Sequence, residues 1–247
     1  IVRVVNGVAQ QIAVAGQGVN RRGIAQFHGR RRTGGRLGDD GGEVVGSQGL
    51  VRSQDGFLAV LALAMAFPAL ADKIPLNEIS RYLNGIKTAQ ADFTQVNADG
   101  SVSTGTVFIQ RPNRVRFEYK GDKTLVLASA GQVAVFDGKS RSGPQQYPLS
   151  KTPLSLILAP NINLGQAKMV TGYTEKKNAT VVTAQDPQHP EYGNIQMVFS
   201  ANPTQLRQWV VTDDAGQRTT VILGEMKTGV SIPASAFAIP NEIARRQ

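Results

Sequence analysis

The chain is 247 residues long, with no cysteine, 41% hydrophobic residues and a formal net charge of +9. The missing Cys excludes disulfides, thiol catalysis, Cys-type zinc sites and a lipid-accepting cysteine. The length suits one large domain or two small ones, and the charge is uneven: residues 1–71 hold eight Arg, no Lys and four acids, whereas all ten Lys fall in 72–247.

Residues 1–50 contain twelve of the 26 glycines, and Gly, Gln and Asn interrupt their apolar stretches. Such a segment cannot bury enough apolar surface to offset chain entropy and is expected to be disordered. A second reading makes it a non-native upstream extension, since no Met precedes Met65 and the stretch is Gly/Arg-rich. The cluster Arg30-Arg31-Arg32 has only Phe27 as an aromatic companion. A polybasic patch alone is weak support for phosphate binding, so no nucleic-acid partner is expected.

Residues 51–71 read as a signal peptide. Arg52 supplies the positive start, and Phe57 to Leu70 is apolar without a charge. Pro68 breaks the run just before Ala69-Leu70-Ala71, a small-x-small site, so cleavage is expected after Ala71. The run is too short to cross a bilayer comfortably. Residues 72–247 are then one mature domain, long enough for a sizeable core.

That domain opens with a predicted helix. Pro75 suits a first turn, and Leu76, Ile79, Leu83 and Ile86 recur at spacings of three and four, which gives one apolar stripe. After Lys87 the period falls to two. Strands are predicted over 93–97, 104–111 and 114–120, the last alternating Arg114, Arg116 and Glu118 with Val115, Phe117 and Tyr119. Such alternation marks an antiparallel strand with one wet face. Further strands are predicted over 124–128, 132–137, 168–175, 180–185, 195–200, 206–212 and 218–225. Short strands at this spacing imply one large, strongly curved antiparallel sheet.

One segment breaks the series. Thr152-Pro153-Leu154 opens a short, very apolar run to Ala159, flanked by polar stretches at 138–144 and 160–163. A helix there fits either a lid over a cavity or a plug at a barrel end, because both need the same apolar face.

Catalytic chemistry is sparse. The mature part holds one histidine, His189, between Pro187 and Pro190, and a lone loop His lacks the partners that acid–base or metal chemistry requires. Neither a G-x-S-x-G motif nor a phosphate-cradling loop nor a metal-spaced set is present. These residues point to a binding module rather than an enzyme, with no cofactor and no metal.

Several pieces, in order, resemble the LolA-like outer-membrane lipoprotein carrier family. They are Phe93-x-Gln95, Gly100 and Gly105, Arg111-Pro112-Asn113, Val115-Arg116-Phe117-x-Tyr119, Ala130-Gly131, Phe136-Asp137, Thr152-Pro153-Leu154, Leu206-x-Gln208-Trp209, Asp213-x-x-Gly216-Gln217 and Phe237-x-Ile239-Pro240. The resemblance spans nearly all of 74–240. It implies an α+β fold, an unclosed half-barrel of about ten to eleven antiparallel strands with helices covering the concave face. It also implies a monomeric periplasmic chaperone that takes acylated lipoproteins from an inner-membrane ABC-type release complex to an outer-membrane lipoprotein receptor. Rivals of the same fold are the receptor itself or a lipoprotein sensor; a periplasmic hydrolase is a third.

By that resemblance Arg111 latches the lid helices, since a guanidinium fork can bridge several carbonyls without a counter-ion. Without it, an Arg before Pro in a turn is ordinarily solvated. Lipid-binding positions are expected at Val107, Ile109, Val115, Phe117, Tyr119, Leu125, Leu127 and Trp209 on the strands. The lid adds Leu154, Leu156, Ile157 and Leu158. Each taken singly is more often plain core. Two segments depart from the family pattern: the compact, basic 138–150 loop, and the short tail 241–247, where no additional C-terminal strand is expected.

Overall fold

A stripe of apolar residues next to a proline starts the first helix. The computed structural model describes residues 73–247 except 122, 141 and 167; the expected 1–50 extension and 51–71 signal peptide lie outside them. Helix α1 spans Leu76–Gly85 and buries Ile79, Ser80 and Leu83. Pro75 precedes it, and its missing N–H leaves no donor unsatisfied there.

From Thr88 side chains alternate between two faces, as the strand period requires. The strands are β1 Thr88–Val96, β2 Val102–Gln110, β3 Arg114–Tyr119, β4 Leu125–Ser129, β5 Gln132–Phe136 and β6 Gln145–Pro148. They continue with β7 Val170–Lys176, β8 Ala179–Gln185, β9 Asn194–Ser200, β10 Gln205–Thr212, β11 Arg218–Leu223 and β12 Lys227–Thr228. All join one open antiparallel sheet in the order β6-β5-β4-β3-β2-β1-β11-β10-β9-β8-β7, with β12 pairing β1. This is the unclosed half-barrel, with β6 and the two-residue β12 added to the ten predicted strands. Strand β6 falls inside the expected 138–150 loop.

Topology decides what covers the sheet. Strands β6 and β7 stand at opposite edges, so the connection 149–169 must run back across one face. It carries helix α2, Leu154–Leu158. Its Leu149, Leu154, Ile157, Leu158, Ile162 and Leu164 share one buried cluster with Ile79 and Leu83 of α1 and with Phe93, Val107, Phe117, Phe199 and Trp209 of the strands. We call this the inner face.

The outer face has a second apolar cluster. Leu125, Leu127, Ala134 and Phe136 lie beneath Phe237 and Ile239, with Ile243 packed on them. The tail thus forms a helix, α3, over Ile239–Arg246. Each large side chain buried there contributes about 1.5–3 kcal/mol. The helix is also held through Glu242, whose side chain is 8% exposed. Its carboxylate accepts hydrogen bonds from Arg246 Nε at 2.8 Å and Arg116 Nη1 at 3.2 Å. Arg116 also donates to the Ala236 carbonyl at 3.0 Å. Burial pushes the Glu242 carboxyl up, but the Arg246 and Arg116 guanidiniums outweigh it and hold the group below its ordinary value.

This covering corrects two expected lipid contacts. Strand β4 is buried on both faces, so apolar character cannot tell its inner side from its outer. Register can: Phe117 pairs with Val126 and Val115 with Ala128, while Leu125 pairs with Glu118 and Leu127 with Arg116. Cross-strand partners share a face. Val126 and Ala128 therefore point inward, and Leu125 and Leu127 point outward beneath α3.

Candidate functional site

The inner face brings together the remaining expected apolar residues. Val107, Ile109, Val115, Phe117 and Trp209 come from β2, β3 and β10; Leu154, Ile157 and Leu158 come from α2; Tyr119 and Leu156 are half-buried against the same cluster. Alternation along each strand aims these side chains at the covering helix. The aromatics interlock edge to face, with Phe93 5.5 Å from Phe117 and 5.2 Å from Tyr119 between ring centroids, and Phe117 6.3 Å from Trp209. Such pairs add about 0.5–1.5 kcal/mol beyond their burial.

Close packing at Phe93 depends on Gly105. A Cβ at Gly105 would stand 2.1 Å from the Glu118 carbonyl oxygen and 2.7 Å from the Phe93 ring. Only a hydrogen fits between that ring and the strand behind it.

The interior is largely filled. A cavity of about 50 Å³ remains beneath Pro153 and Leu154, walled by Phe117, Tyr119, Trp209 and Val221, with Gln95, Thr152, Val211 and Thr219 completing it. Pockets that enclose drug-sized ligands measure roughly 300–1,000 Å³, so this cavity is far smaller than a drug-sized ligand needs.

A polar seam holds those flanks to α1. Arg111, at the end of β2, donates through Nη1 to the Leu83 carbonyl. Its Nη2 donates to the Ala159 carbonyl at 2.5 Å and to Asn84 Oδ1 at 3.2 Å. Leu83 and Asn84 lie in the last turn of α1, where the Leu83 carbonyl also accepts from the Ile86 amide at 3.3 Å. Ala159 ends α2, so both carbonyls belong to helix ends that cannot complete the regular helical bonding pattern. Negative charge accumulates there through the helix dipole, and a cation needs no carboxylate beside it. Burial draws the Arg111 guanidinium below its ordinary value, and its buried Nε–H has no hydrogen-bond partner among the described residues.

Four further bonds complete the seam. Asn84 accepts from the Ile162 amide at 2.9 Å and donates to the Ile162 carbonyl at 2.8 Å. Ser80 Oγ accepts from the Leu164 amide at 3.0 Å. The Asn113 amide donates to the Leu158 carbonyl at 2.9 Å. Sequence reasoning singled out Arg111 and missed Asn84, whose only signal was an amide side chain near a helix end. It also left Gln95 without a role. That residue is 2% exposed, an amide on the inward face of β1, whose other inward residues are Ala89, Ala91 and Phe93.

His189 stays apart from all this. Its Nδ1 lies 3.0 Å from Glu191 Oε1 and its ring stacks on Tyr192, in an exposed loop. Among the described residues no group of three or more His, Cys, Asp or Glu side chains is arranged to hold a metal ion.

The family model described as outer membrane lipoprotein carrier protein LolA matches residues 84–240, well over half the chain. The chain belongs to the LolA family. An outer-membrane lipoprotein carrier protein of Methylococcus capsulatus is 25% identical over 195 residues, covering 73% of this chain and 91% of that protein. Another, of Albidiferax ferrireducens, is 26% identical over 200 residues, covering 73% and 93%. A solved structure of a LolA superfamily protein from Nitrosomonas europaea is 9% identical, covering 67% of this chain and 98% of that one at a TM-score of 0.36. The LolA match contains Asn84, Arg111, the α2 connection and Trp209, and stops at Pro240, inside α3.

Proposed function

We propose that this LolA-family protein is a non-enzymatic periplasmic chaperone that sequesters the acyl chains of lipoproteins beneath α2 and carries them from the inner to the outer membrane. Its partners are an inner-membrane ABC-type complex that releases the lipoprotein and an outer-membrane receptor that accepts it. The protein works as a monomer, exported by the 51–71 segment.

The observation that supports this reading is the Arg111 seam, which adds hydrogen bonds between the end of the apolar α2 connection and α1 to the apolar packing they share. Hydrogen bonds of this kind contribute only about 0.5–1.5 kcal/mol net each, somewhat more with a charged donor, so the cover can be both held and released.

Energetics agree with a cargo that must be handed on. Burying a methylene is worth about 0.8 kcal/mol, so a fully enclosed chain of ~15 would be held by about 12 kcal/mol. Because the resting interior is packed, loading must first separate α2 from the strands, which subtracts from that affinity. Release then needs no nucleotide site on the carrier.

The test is Arg111→Leu in an assay that follows lipoprotein release from spheroplasts and incorporation into outer membrane. Impaired transfer is expected. Release and delivery at the unsubstituted level would refute the latch.

A further inference from the structure

The wall of the inner cavity is not uniformly apolar. Thr219 occupies an inward position of β11, opposite Val211 of β10, and is 5% exposed. Its Oγ1 is buried without any hydrogen-bond partner among the described residues, although buried hydroxyls ordinarily find one. Gln95 lines the same cavity and is clamped at both ends. Its Oε1 accepts from the Tyr119 hydroxyl at 2.8 Å, and its Nε2 donates to Asn97 Oδ1 at 2.7 Å. The ladder continues from Asn97 Nδ2 to Ser101 Oγ at 2.9 Å and from Ser101 Oγ to Asp99 at 2.6 Å, in an exposed loop. A polar track thus leads from solvent to a cavity whose walls include the apolar side chains of Phe117, Trp209 and Val221.

A site for hydrocarbon alone would need none of these groups. We propose that Thr219, beside the clamped Gln95, is the subsite that receives the acyl carbonyl of the cargo, the ester or amide oxygen through which a fatty chain is attached. The chemistry is complementary. A hydroxyl can donate, an acyl carbonyl can only accept, and no other atom of a saturated chain can satisfy the donor. Trp209 and Val221 then flank the first methylenes. The polar track lets the head group remain near water while the chain runs beneath α2. This inference rests on the carrier reading and adds to it a fixed depth and polarity for the bound chain.

The cavity's 50 Å³ also suffices for a few water molecules, and the experiment separates the two occupants. Protein purified from cells expressing the full chain is delipidated. It is then titrated with a dipalmitoylglyceryl-cysteinyl peptide and with its dihexadecyl ether analogue, which lacks the carbonyls. Trp209 is the single tryptophan and lies in the cavity wall, so its fluorescence reports binding. The unsubstituted protein should prefer the ester by on the order of tenfold. Thr219→Val keeps the shape and removes the donor, so the preference should collapse to about one with ether affinity retained. Thr219→Ser should restore it. No preference in the unsubstituted protein, or a preference that survives Thr219→Val, overturns the subsite and leaves water as the hydroxyl's partner, while the carrier reading stands. If neither probe binds, the carrier reading falls, and the subsite with it.

Discussion

Arg111 Nη2 lies 2.5 Å from the carbonyl of Ala159, while Nη1 of the same guanidinium meets the carbonyl of Leu83. One planar side chain therefore spans the ends of α1 and α2, which sequence separates by more than seventy residues. Lys has a single ammonium on a flexible stem and cannot present two donors in that fixed fork. Arg111→Lys should lower the melting temperature by about 2–4 °C for each kcal/mol lost. It should also speed hydrogen exchange at the Asn113 and Ile162 amides, which bond the α2 connection and Asn84. Exchange unchanged at both amides would show that the cover is held by its apolar face alone.

Gly105 is where β2 passes closest to its neighbours. With the Glu118 carbonyl and Phe93 ring in the way of any Cβ, Gly105→Ala must displace β3 or the Phe93 ring. We expect a loss of about 2–3 kcal/mol, read as a lower denaturant midpoint with an unchanged slope. An unaltered midpoint would mean the strands separate at no cost.

Leu127 is fully buried and belongs to the outer cluster. Leu127→Ala should cost about 2–5 kcal/mol of stability yet leave the affinity for the palmitoyl ester probe unchanged once folding is allowed for. Ile157→Ala, on the inner face, should alter both. A selective loss of probe affinity in the Leu127 variant would put that side chain back among the lipid contacts.

The α3 clamp has a defined pH dependence. The folded-state pKa of Glu242 is depressed below its ordinary 4.5, so its contribution is fully present above that value and is lost as pH falls through the lower folded one. The stability difference between the unsubstituted protein and Glu242→Gln should be constant above about pH 5 and shrink below it. Urea midpoints between about pH 3 and 6 measure this; a difference independent of pH would exclude a charged Glu242 as the clamp.

Much of the fold was legible because period and face coincide. The Ile79–Leu83 stripe produces α1, and the alternation in β3 and β9 produces strands, since each has one dry side and one wetter one. Strand β6 was not legible. Its Gln145-Gln146-Tyr147-Pro148 is largely exposed on both faces and exists because β5 presents an unpaired edge for it to bond. Leu125 and Leu127 misled for the opposite reason. When a strand is apolar on both sides, the pattern has no phase, and register with β3 alone assigns its faces.

The site divides the same way. The order of motifs, the apolar run at 154–158 and an Arg before Pro112 were properties of the chain itself, and they sufficed for family and fold. Which carbonyls Arg111 would meet, that Asn84 would hold Ile162, and that Thr219 would be left with an unmet hydroxyl beside Gln95 depended on the closing of β1 against β11 and on the return of 149–169 across the sheet. Hydrogen bonds form where donors and acceptors arrive together, and residues far apart in sequence arrive together only when long-range strand pairing brings them there.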